Sequence, residues 1–209
     1  DVAENLQAEK QATIEKAFDS KLREGHVIRT LFSVPDVPVL ALDAGGAPAR
    51  GRKDARVTVI EFADFQCPSC GQMSAVVDEA LQPYGDKVRY VFRQYPLSIH
   101  PDAWRAAESS LAANAQGKFF PYAHILFEHQ QSLDADSLKR YAADAGLDVT
   151  RFSRDLESGR YGPAVVDDKQ AGDRAGIDVT PTFFLNGIAL DYDAYSVEGI
   201  RAAIDRILK

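Results

Sequence analysis

The sequence predicts an α/β fold that carries an inserted all-helical subdomain and an N-terminal helical extension. Short apolar segments rich in β-branched residues alternate with segments of helical periodicity, which is typical of α/β sheets. The chain from residue 101 to about 176 is helical in pattern throughout, which is too long for a simple crossover between two strands. We therefore expect an arm over residues 1–35 and a domain over residues 36–209, with a helical insertion at about 99–176.

The N-terminal arm has the pattern of a charged helix with a narrow apolar stripe. Ile14, Phe18 and Leu22 recur at four-residue steps among Glu, Lys, Gln and Ala residues that favour helices. A narrow stripe suits a helix that lies on its own domain, and it also suits one that packs on a partner. Both interpretations remain open, so the arm is a possible homo-oligomerisation element.

The strands and helices of the domain follow from changes in periodicity. Residues 39–42 are a short apolar run that predicts a first strand, and glycines and prolines between 44 and 55 indicate a loop. The nearly continuous β-branched run at 57–62 is typical of a central strand covered on both faces. Further along we expect a helix at 68–81, strands at 88–92 and 182–185, a hairpin turn at Asn186-Gly187 and a last helix capped by Ser196.

Composition argues against several classes of function. Hydrophobic residues make up 45% of the 209 residues and charged residues 26%, a normal balance for a globular domain. The formal net charge is −7 and the nearest basic cluster, at 50–56, is interrupted by Asp54, so we expect no binding of nucleic acid. The sequence contains no run of about 18 apolar residues, so we expect no membrane span. The chain begins at Asp1 without a signal peptide, and we expect either a processed form or a shortened chain.

The two cysteines, Cys67 and Cys70, lie three residues apart and are the only ones in the chain. A disulfide scaffold would use more cysteines spread along the sequence, and a structural zinc site usually has four ligands, for which no second cysteine or histidine pair exists. The pair therefore predicts local redox chemistry.

The position of Cys67 explains why its sulfur can react. The pair lies between a buried strand and the start of a helix, with Cys67 near the N-cap and Pro68 at the first helical position, where proline is favoured. The helix dipole and free N–H groups then favour the thiolate of Cys67. We expect Cys67 to form the mixed disulfide with substrate, and Cys70, one turn further along, to resolve it.

A second signal is the proline at the entrance of the strand at 182–185. Pro181 follows Thr180, and proline is a poor central-strand residue unless it marks an edge or a special turn. A cis Thr180–Pro181 bond would expose backbone groups for pairing with an extended substrate peptide. The alternative is an ordinary trans proline that opens a strand.

Glu61 interrupts the apolar strand six residues before Cys67. A buried carboxyl there would have a raised pKa and could exchange protons with Cys70. In the alternative interpretation Glu61 pairs with Arg89 or Arg93 on the neighbouring strand, and the two interpretations are compatible.

Two motifs on either side of a helical block resemble the DsbA family of thioredoxin-like proteins. The first runs over residues 61–70 and contains Glu61, Cys67 and Cys70, and the second runs over residues 179–187 and contains Pro181. The likeness covers residues 37–209. It implies a thioredoxin-like fold in which Cys67 is the nucleophile, Cys70 its partner, Pro181 the cis proline that faces them, and Glu61 the buried acidic residue near the active site.

The same resemblance implies the surroundings in which the chain works. Members of this family mostly oxidise cysteines of newly exported polypeptides in the bacterial periplasm or another extracytoplasmic space. A quinone-linked membrane protein usually reoxidises them. We expect no cofactor and no metal, since the cysteine pair itself carries the electrons.

The chain departs from the family pattern in ways that leave the direction of electron flow open. Ser69 stands where many oxidising members have His, so we expect a weaker oxidant. Thr180 before the proline and the N-terminal arm resemble features of oligomeric isomerase-like relatives and of proteins linked to copper tolerance. We rank an oxidase first, an oligomeric disulfide isomerase or reductase second, and a copper-binding protein that uses Cys67 and Cys70 third.

Overall fold

The computed structural model describes Thr13, residues 39–42 and residues 45–209. Apart from Thr13, the predicted N-terminal arm at 1–35 lies outside the described residues. Its helix and its part in oligomerisation therefore stay predictions.

A five-stranded mixed sheet forms the centre of the domain, with the strand order β1-β3-β2-β4-β5. The strands are β1 (Ala49–Arg50), β2 (Val57–Ala63), β3 (Val88–Gln94), β4 (Thr182–Leu185) and β5 (Ile188–Ala189). The helices are α1 (Pro68–Leu81), α2 (Ala103–Asn114), α3 (Phe119–Glu128), α4 (Ala135–Asp144), α5 (Val149–Glu157), α6 (Gly162–Arg174) and α7 (Val197–Leu208). This architecture confirms the predicted α/β class with a helical block inserted between β3 and β4.

The central strand β2 pairs in parallel with β3 and antiparallel with β4. Six of its seven residues are buried, because helices cover both faces of the sheet at this strand. That two-sided burial is the reason why the sequence of β2 is nearly continuous in apolarity rather than alternating. The turn at residues 64–67 therefore follows directly from a strand that is packed on both faces.

An aromatic cluster joins the helical insertion to that turn. The ring of Phe65 lies 5.3 Å from that of Phe92 on β3 and 4.8 Å from that of Phe127 on α3. Phe92 also contacts Phe119 at the start of α3, with the ring centres 5.1 Å apart. Aromatic pairs of this kind contribute about 0.5–1.5 kcal/mol each beyond the area they bury. The insertion is thus packed directly against the segment that carries the cysteines.

Two predictions for the segment before β2 are wrong. Residues 39–42 form no strand: the N–H of Leu42 bonds back to the carbonyl of Leu40 at 2.9 Å, so the chain turns instead of extending along the sheet. One backbone bond, from Leu40 N–H to the Gly187 carbonyl at 2.8 Å, ties it to the β4–β5 turn. Conversely, the predicted loop contains β1, whose two residues pair with β3 and are too few to show periodicity.

None of the helices in the described part of the chain has the length and apolarity that crossing a bilayer requires.

We predict that Gly172→Ala destabilises the fold by about 1–3 kcal/mol through overpacking. A Cβ at this position of α6 would lie 2.6 Å from the ring of Tyr95 and 3.3 Å from that of Phe62. The Tyr95 ring has little room to move, because its hydroxyl donates to the Ile177 carbonyl at 2.6 Å and also contacts Asp173.

Urea unfolding measures this effect. Gln170→Ala, at an exposed position of the same helix, is the matched control and should change the free energy of unfolding by no more than about 0.5 kcal/mol. Equal stability of the two variants would show that the Tyr95 ring is free to give way.

Candidate active site

The junction between β2 and α1 holds Cys67 as the N-cap residue of the helix. Its backbone is extended, with φ −71° and ψ 120°, and Pro68 takes the first helical position, as predicted. Proline fits there because its ring fixes a helical φ and the missing N–H would have no partner in the helix. The Cys67 N–H bonds to the Asp64 carbonyl at 3.1 Å, which closes the turn between strand and helix.

The two sulfurs occupy different environments in the dithiol form that the structure describes. Cys67 retains 7% of its surface and Cys70 none. The backbone N–H of Asp64 points at the Cys70 sulfur from 3.5 Å, inside the protein. A bulky reactant can therefore reach Cys67 before it reaches Cys70.

The electrostatics of the turn separate the pKa values of the two thiols. A hydrogen bond from the Cys70 thiol lowers the pKa of Cys67 to about 5, helped by the Thr180 side chain and by the backbone N–H groups of Cys70 and Ser69, and opposed by burial. The pKa of Cys70 is raised far above the usual thiol range, first by burial and then by its bond to Cys67 and the charge of Glu61. At neutral pH only the Cys67 sulfur is ionised.

The segment before β4 lies against this sulfur. The Thr180–Pro181 peptide bond is cis, and when Cys67 is protonated its thiol donates a hydrogen bond to the Thr180 carbonyl at 3.3 Å. Thr180 and Pro181 are buried, whereas Val179 is 57% exposed. Residues 67 and 180, which are 113 positions apart in sequence, thus meet at one site.

Glu61 lies inside the sheet at the same end of β2, with 1% of its surface exposed. The Tyr90 hydroxyl donates a short hydrogen bond to its carboxylate. The pKa of Glu61 is raised to about 7, chiefly by burial and to a smaller extent by the charge of Asp78, while the Tyr90 bond and Arg50 act in the opposite direction. The carboxyl therefore changes its ionisation near neutral pH.

The alternative ion pair of Glu61 with Arg89 or Arg93 is not formed among the described residues. Glu61 is in register with Phe92, so it shares a face of the sheet with residues 90 and 92. Side chains alternate along a strand, and Arg89 and Arg93 therefore project from the opposite face. Arg93 pairs there with Asp168 at 2.7 Å.

A buried carboxylate that the sequence analysis missed, Asp64, shapes the turn before Cys67. It accepts hydrogen bonds from the N–H of Gln66 at 2.7 Å and the N–H of Leu97 at 2.8 Å, and it contacts the His100 ring at 2.7 Å. These bonds fasten the loop after β3 to the turn between β2 and α1. Only the polar character of Asp64 after an apolar strand could have indicated this position.

Gln130, also missed, reaches the same turn from the insertion. Its side-chain amide donates to the Phe65 carbonyl at 2.9 Å and to the Cys67 carbonyl at 2.7 Å. No sequence pattern links residue 130 to the cysteines, because the contact depends on how the insertion packs.

Among residues 39–42 and 45–209, no three or more His, Cys, Asp or Glu side chains lie close enough together to bind a metal ion. A copper ion at the predicted position would have the sulfurs of Cys67 and Cys70 as its ligands from this part of the chain.

A model of the family described as thioredoxin matches residues 43–206 of this chain. That match spans β1, the cysteine pair, the insertion and most of α7.

Several solved structures have the same fold. BdbD of Bacillus subtilis, in its oxidised form, matches with a TM-score of 0.70 at 23% identity, over 79% of this chain and 95% of BdbD. A thioredoxin-like oxidoreductase of Silicibacter pomeroyi matches with a TM-score of 0.68 at 26% identity, over 78% of this chain and 92% of that protein. Reduced DsbG of Mycobacterium tuberculosis matches with a TM-score of 0.64 at 18% identity, over 79% of this chain and 89% of DsbG.

The curated relatives are larger proteins. The chain is 41% identical over 142 residues to a protein named Na⁺/H⁺ antiporter NhaA 1 in Mycolicibacterium vanbaalenii, which is 66% of this chain and 23% of that protein. It is 42% identical over 156 residues to NhaA 3 of Salinispora tropica, 74% of this chain and 24% of that protein. The chain thus spans about a quarter of the length of these relatives.

We predict that the reduced protein shows one thiolate titration with a midpoint near pH 5, because hydrogen bonds to the Cys67 sulfur outweigh the cost of its burial. The ultraviolet absorbance of the thiolate, followed against pH, measures this midpoint. Cys67→Ser should abolish this transition. Cys70→Ala removes the strongest donor and should move the midpoint upward, whereas Cys70→Ser keeps a donor and should move it less. A midpoint near the free thiol value of about 8.5 in the unaltered protein would contradict the electrostatics described above.

Proposed function

We propose that this thiol–disulfide oxidoreductase, which belongs to the thioredoxin family and has a DsbA-like fold, is an oxidase that introduces disulfides into exported polypeptides. The observation that carries the proposal is the low pKa of Cys67, about 5. Stabilising the thiolate stabilises the reduced protein relative to its disulfide, and a pair whose reduced form is favoured accepts electrons readily.

The exchange then proceeds in two balanced steps from the Cys67–Cys70 disulfide. A substrate thiolate attacks the Cys67 sulfur, which forms a mixed disulfide and releases Cys70 as a thiolate that takes up a proton. A second substrate thiolate attacks the substrate sulfur of the mixed disulfide, which forms the substrate disulfide and releases Cys67 as a thiolate. The substrate loses two electrons and the cysteine pair gains them.

Glu61 is the group we propose for proton exchange with Cys70. Cys70 is completely buried, and its pKa is raised in part by the charge of Glu61, so the two groups interact electrostatically. A carboxyl with a pKa of about 7 can both deliver and accept a proton at neutral pH. Burial leaves Cys70 without direct access to water, and an internal acid–base group supplies what water cannot.

The segment at Thr180 and Pro181 is the part we propose for substrate binding. In the thiol form the Thr180 carbonyl accepts a hydrogen bond from Cys67 at 3.3 Å. In the disulfide, as in the thiolate, Cys67 has no proton to donate, so this carbonyl can accept a hydrogen bond from an N–H of an extended substrate chain. The exposed Val179 next to it offers apolar surface to substrate side chains.

Substrates, partner and location belong to the same proposal. The DsbA-like fold supports cysteine-containing polypeptides outside the cytoplasm as substrates, in the bacterial periplasm or an equivalent space. A quinone-linked membrane protein would reoxidise the pair. An oligomeric isomerase or reductase is the alternative, and deleting residues 1–32 tests it: that deletion should then produce a monomer that no longer shuffles scrambled disulfides.

The likeness to the antiporters favours a second candidate function. At 41% identity over 142 residues, this domain could serve thiol exchange on a sodium/proton antiporter rather than on many exported substrates. A chromosomal Cys67→Ser substitution would then change sodium tolerance and leave the disulfides of exported proteins intact. If the protein is instead a general oxidase, the same substitution should leave sodium tolerance unchanged and should impair the disulfides of exported proteins.

We predict a redox potential between about −120 and −200 mV, from equilibrium with glutathione buffers. Ser69→His is the informative variant, since an added donor next to the Cys67 thiolate should shift the potential to a less negative value. A potential near −270 mV, as for thioredoxin, would refute the oxidase and leave a reductase.

We predict that Glu61→Gln slows the attack of Cys70 on a preformed Cys67 mixed disulfide by about a hundredfold at pH 7. In the unaltered protein the rate should rise with pH through about 7, because the carboxylate is the form that accepts the proton. Stopped-flow release of the bound thiol measures both. Tyr90→Phe removes a bond that lowers the pKa of Glu61, so its profile should shift to higher pH. Identical profiles for Glu61→Gln and the unaltered protein would exclude proton exchange by Glu61.

A further inference from the structure

The side chain of Gln130 connects the helical insertion to the peptide units on both sides of the active-site turn. It extends from the loop between α3 and α4, and its one amide nitrogen serves two acceptors, the carbonyls of Phe65 at 2.9 Å and Cys67 at 2.7 Å. An amide nitrogen has two hydrogens, so both bonds can form at once. Each holds a carbonyl within two residues of the reactive sulfur.

The Cys67 carbonyl is also the first acceptor of α1, because it receives the Gly71 N–H at 3.2 Å. Gln130 therefore holds the same oxygen that begins the helical hydrogen-bond pattern. Fixing this oxygen fixes where the first turn of α1 lies, and with it the backbone N–H groups at the start of the helix.

Gly71 makes room for this contact. A Cβ at position 71 would lie 2.4 Å from Oε1 of Gln130 and 2.8 Å from its Cδ. Alanine is a better helix former than glycine, so a glycine inside α1 opposes helix propensity. The close approach of Gln130 supplies a physical reason for glycine at this position.

We propose that Gln130 is a positioning residue, through which the insertion holds Cys67 at the N-terminus of α1 so that its sulfur meets the backbone N–H groups of Ser69 and Cys70. The inference deepens the proposed function and rests on it, since it names the part of the insertion that supports the exchange site. A purely structural role for Gln130 would change only the stability of the fold.

Gln130→Met tests the proposal, because methionine keeps a similar length and removes the donors. We expect the thiolate titration of Cys67 to shift upward by about half a pKa unit or more, a factor of about three in the ionisation constant. Gln131→Met, at the exposed neighbouring position, is the matched control and should leave the titration unchanged. Lower thermal stability of Gln130→Met with an unchanged titration would overturn the proposal.

Gly71→Ala provides a second variant that leaves the donor in the chain. In the native background its Cβ displaces the Gln130 amide, so we expect the Cys67 titration to shift upward as in Gln130→Met. In a Gln130→Ala background the space is empty, so Gly71→Ala should add no further shift and should raise the melting temperature through helix propensity. Additive shifts in the double variant would show that Gly71 and Gln130 act separately and would overturn the coupling.

These titrations use the reduced protein without substrate, so the two proposals can fail separately. An unchanged titration in Gln130→Met removes the role of Gln130 and leaves the oxidase standing. A potential near −270 mV in the unaltered protein removes the oxidase, whatever Gln130 does.

Discussion

The ionised sulfur of Cys67 at the start of α1 is the constraint on which the rest of the site depends. Its pKa is lowered first by the Cys70 thiol and then by Thr180 and by the backbone N–H groups of the helix start. The Cys70 thiol and the backbone N–H groups belong to α1, Thr180 belongs to the segment before β4, and α1 is in turn held by the turn that leaves β2. The sheet and the insertion matter for function because they keep these three elements together.

The same turn produces opposite results at its two sulfurs, and burial decides the difference. At Cys67, which keeps 7% of its surface, several hydrogen bonds outweigh the cost of desolvation. At Cys70, which has none, desolvation dominates, and the nearby Glu61 charge adds to it. In the dithiol form Cys67 is thus ionised at neutral pH while Cys70 is protonated, so the proposed exchange requires Cys70 to take up a proton whenever it is released from a disulfide. Glu61, whose pKa is raised by burial against the effect of the Tyr90 bond, is the group we propose for exchange of that proton.

The sequence was sufficient for the parts of the site that follow from local chemistry. Cys67 at the N-cap and Pro68 at the first helical position follow from residue order at a strand-to-helix boundary. The partner of Glu61 depends on the register of β2 against β3, which the structure supplies: Glu61 lies opposite Phe92 and shares a face with Tyr90, so both arginines project from the other face. The contact of Asp64 with Leu97 and the contacts of Gln130 were not predictable, because they join segments 33 or more positions apart, and those of Gln130 also depend on the docking of the insertion. The two residues of β1 and the turn at 39–42 were missed because such short segments carry no periodicity.

The most direct measurement compares the free energy of unfolding of the disulfide and dithiol forms in urea at pH 7. A disulfide usually stabilises a protein by about 2–4 kcal/mol. Here we predict the opposite order, with the dithiol form more stable, because the Cys67 thiolate gains hydrogen bonds only in the folded reduced protein. The folded pKa of Cys67 lies below that of an unfolded thiol, so this advantage should be lost as the pH falls towards 5 and should grow towards pH 9. A disulfide form that is the more stable one at pH 7, with no such pH dependence, would contradict the central role of the Cys67 thiolate.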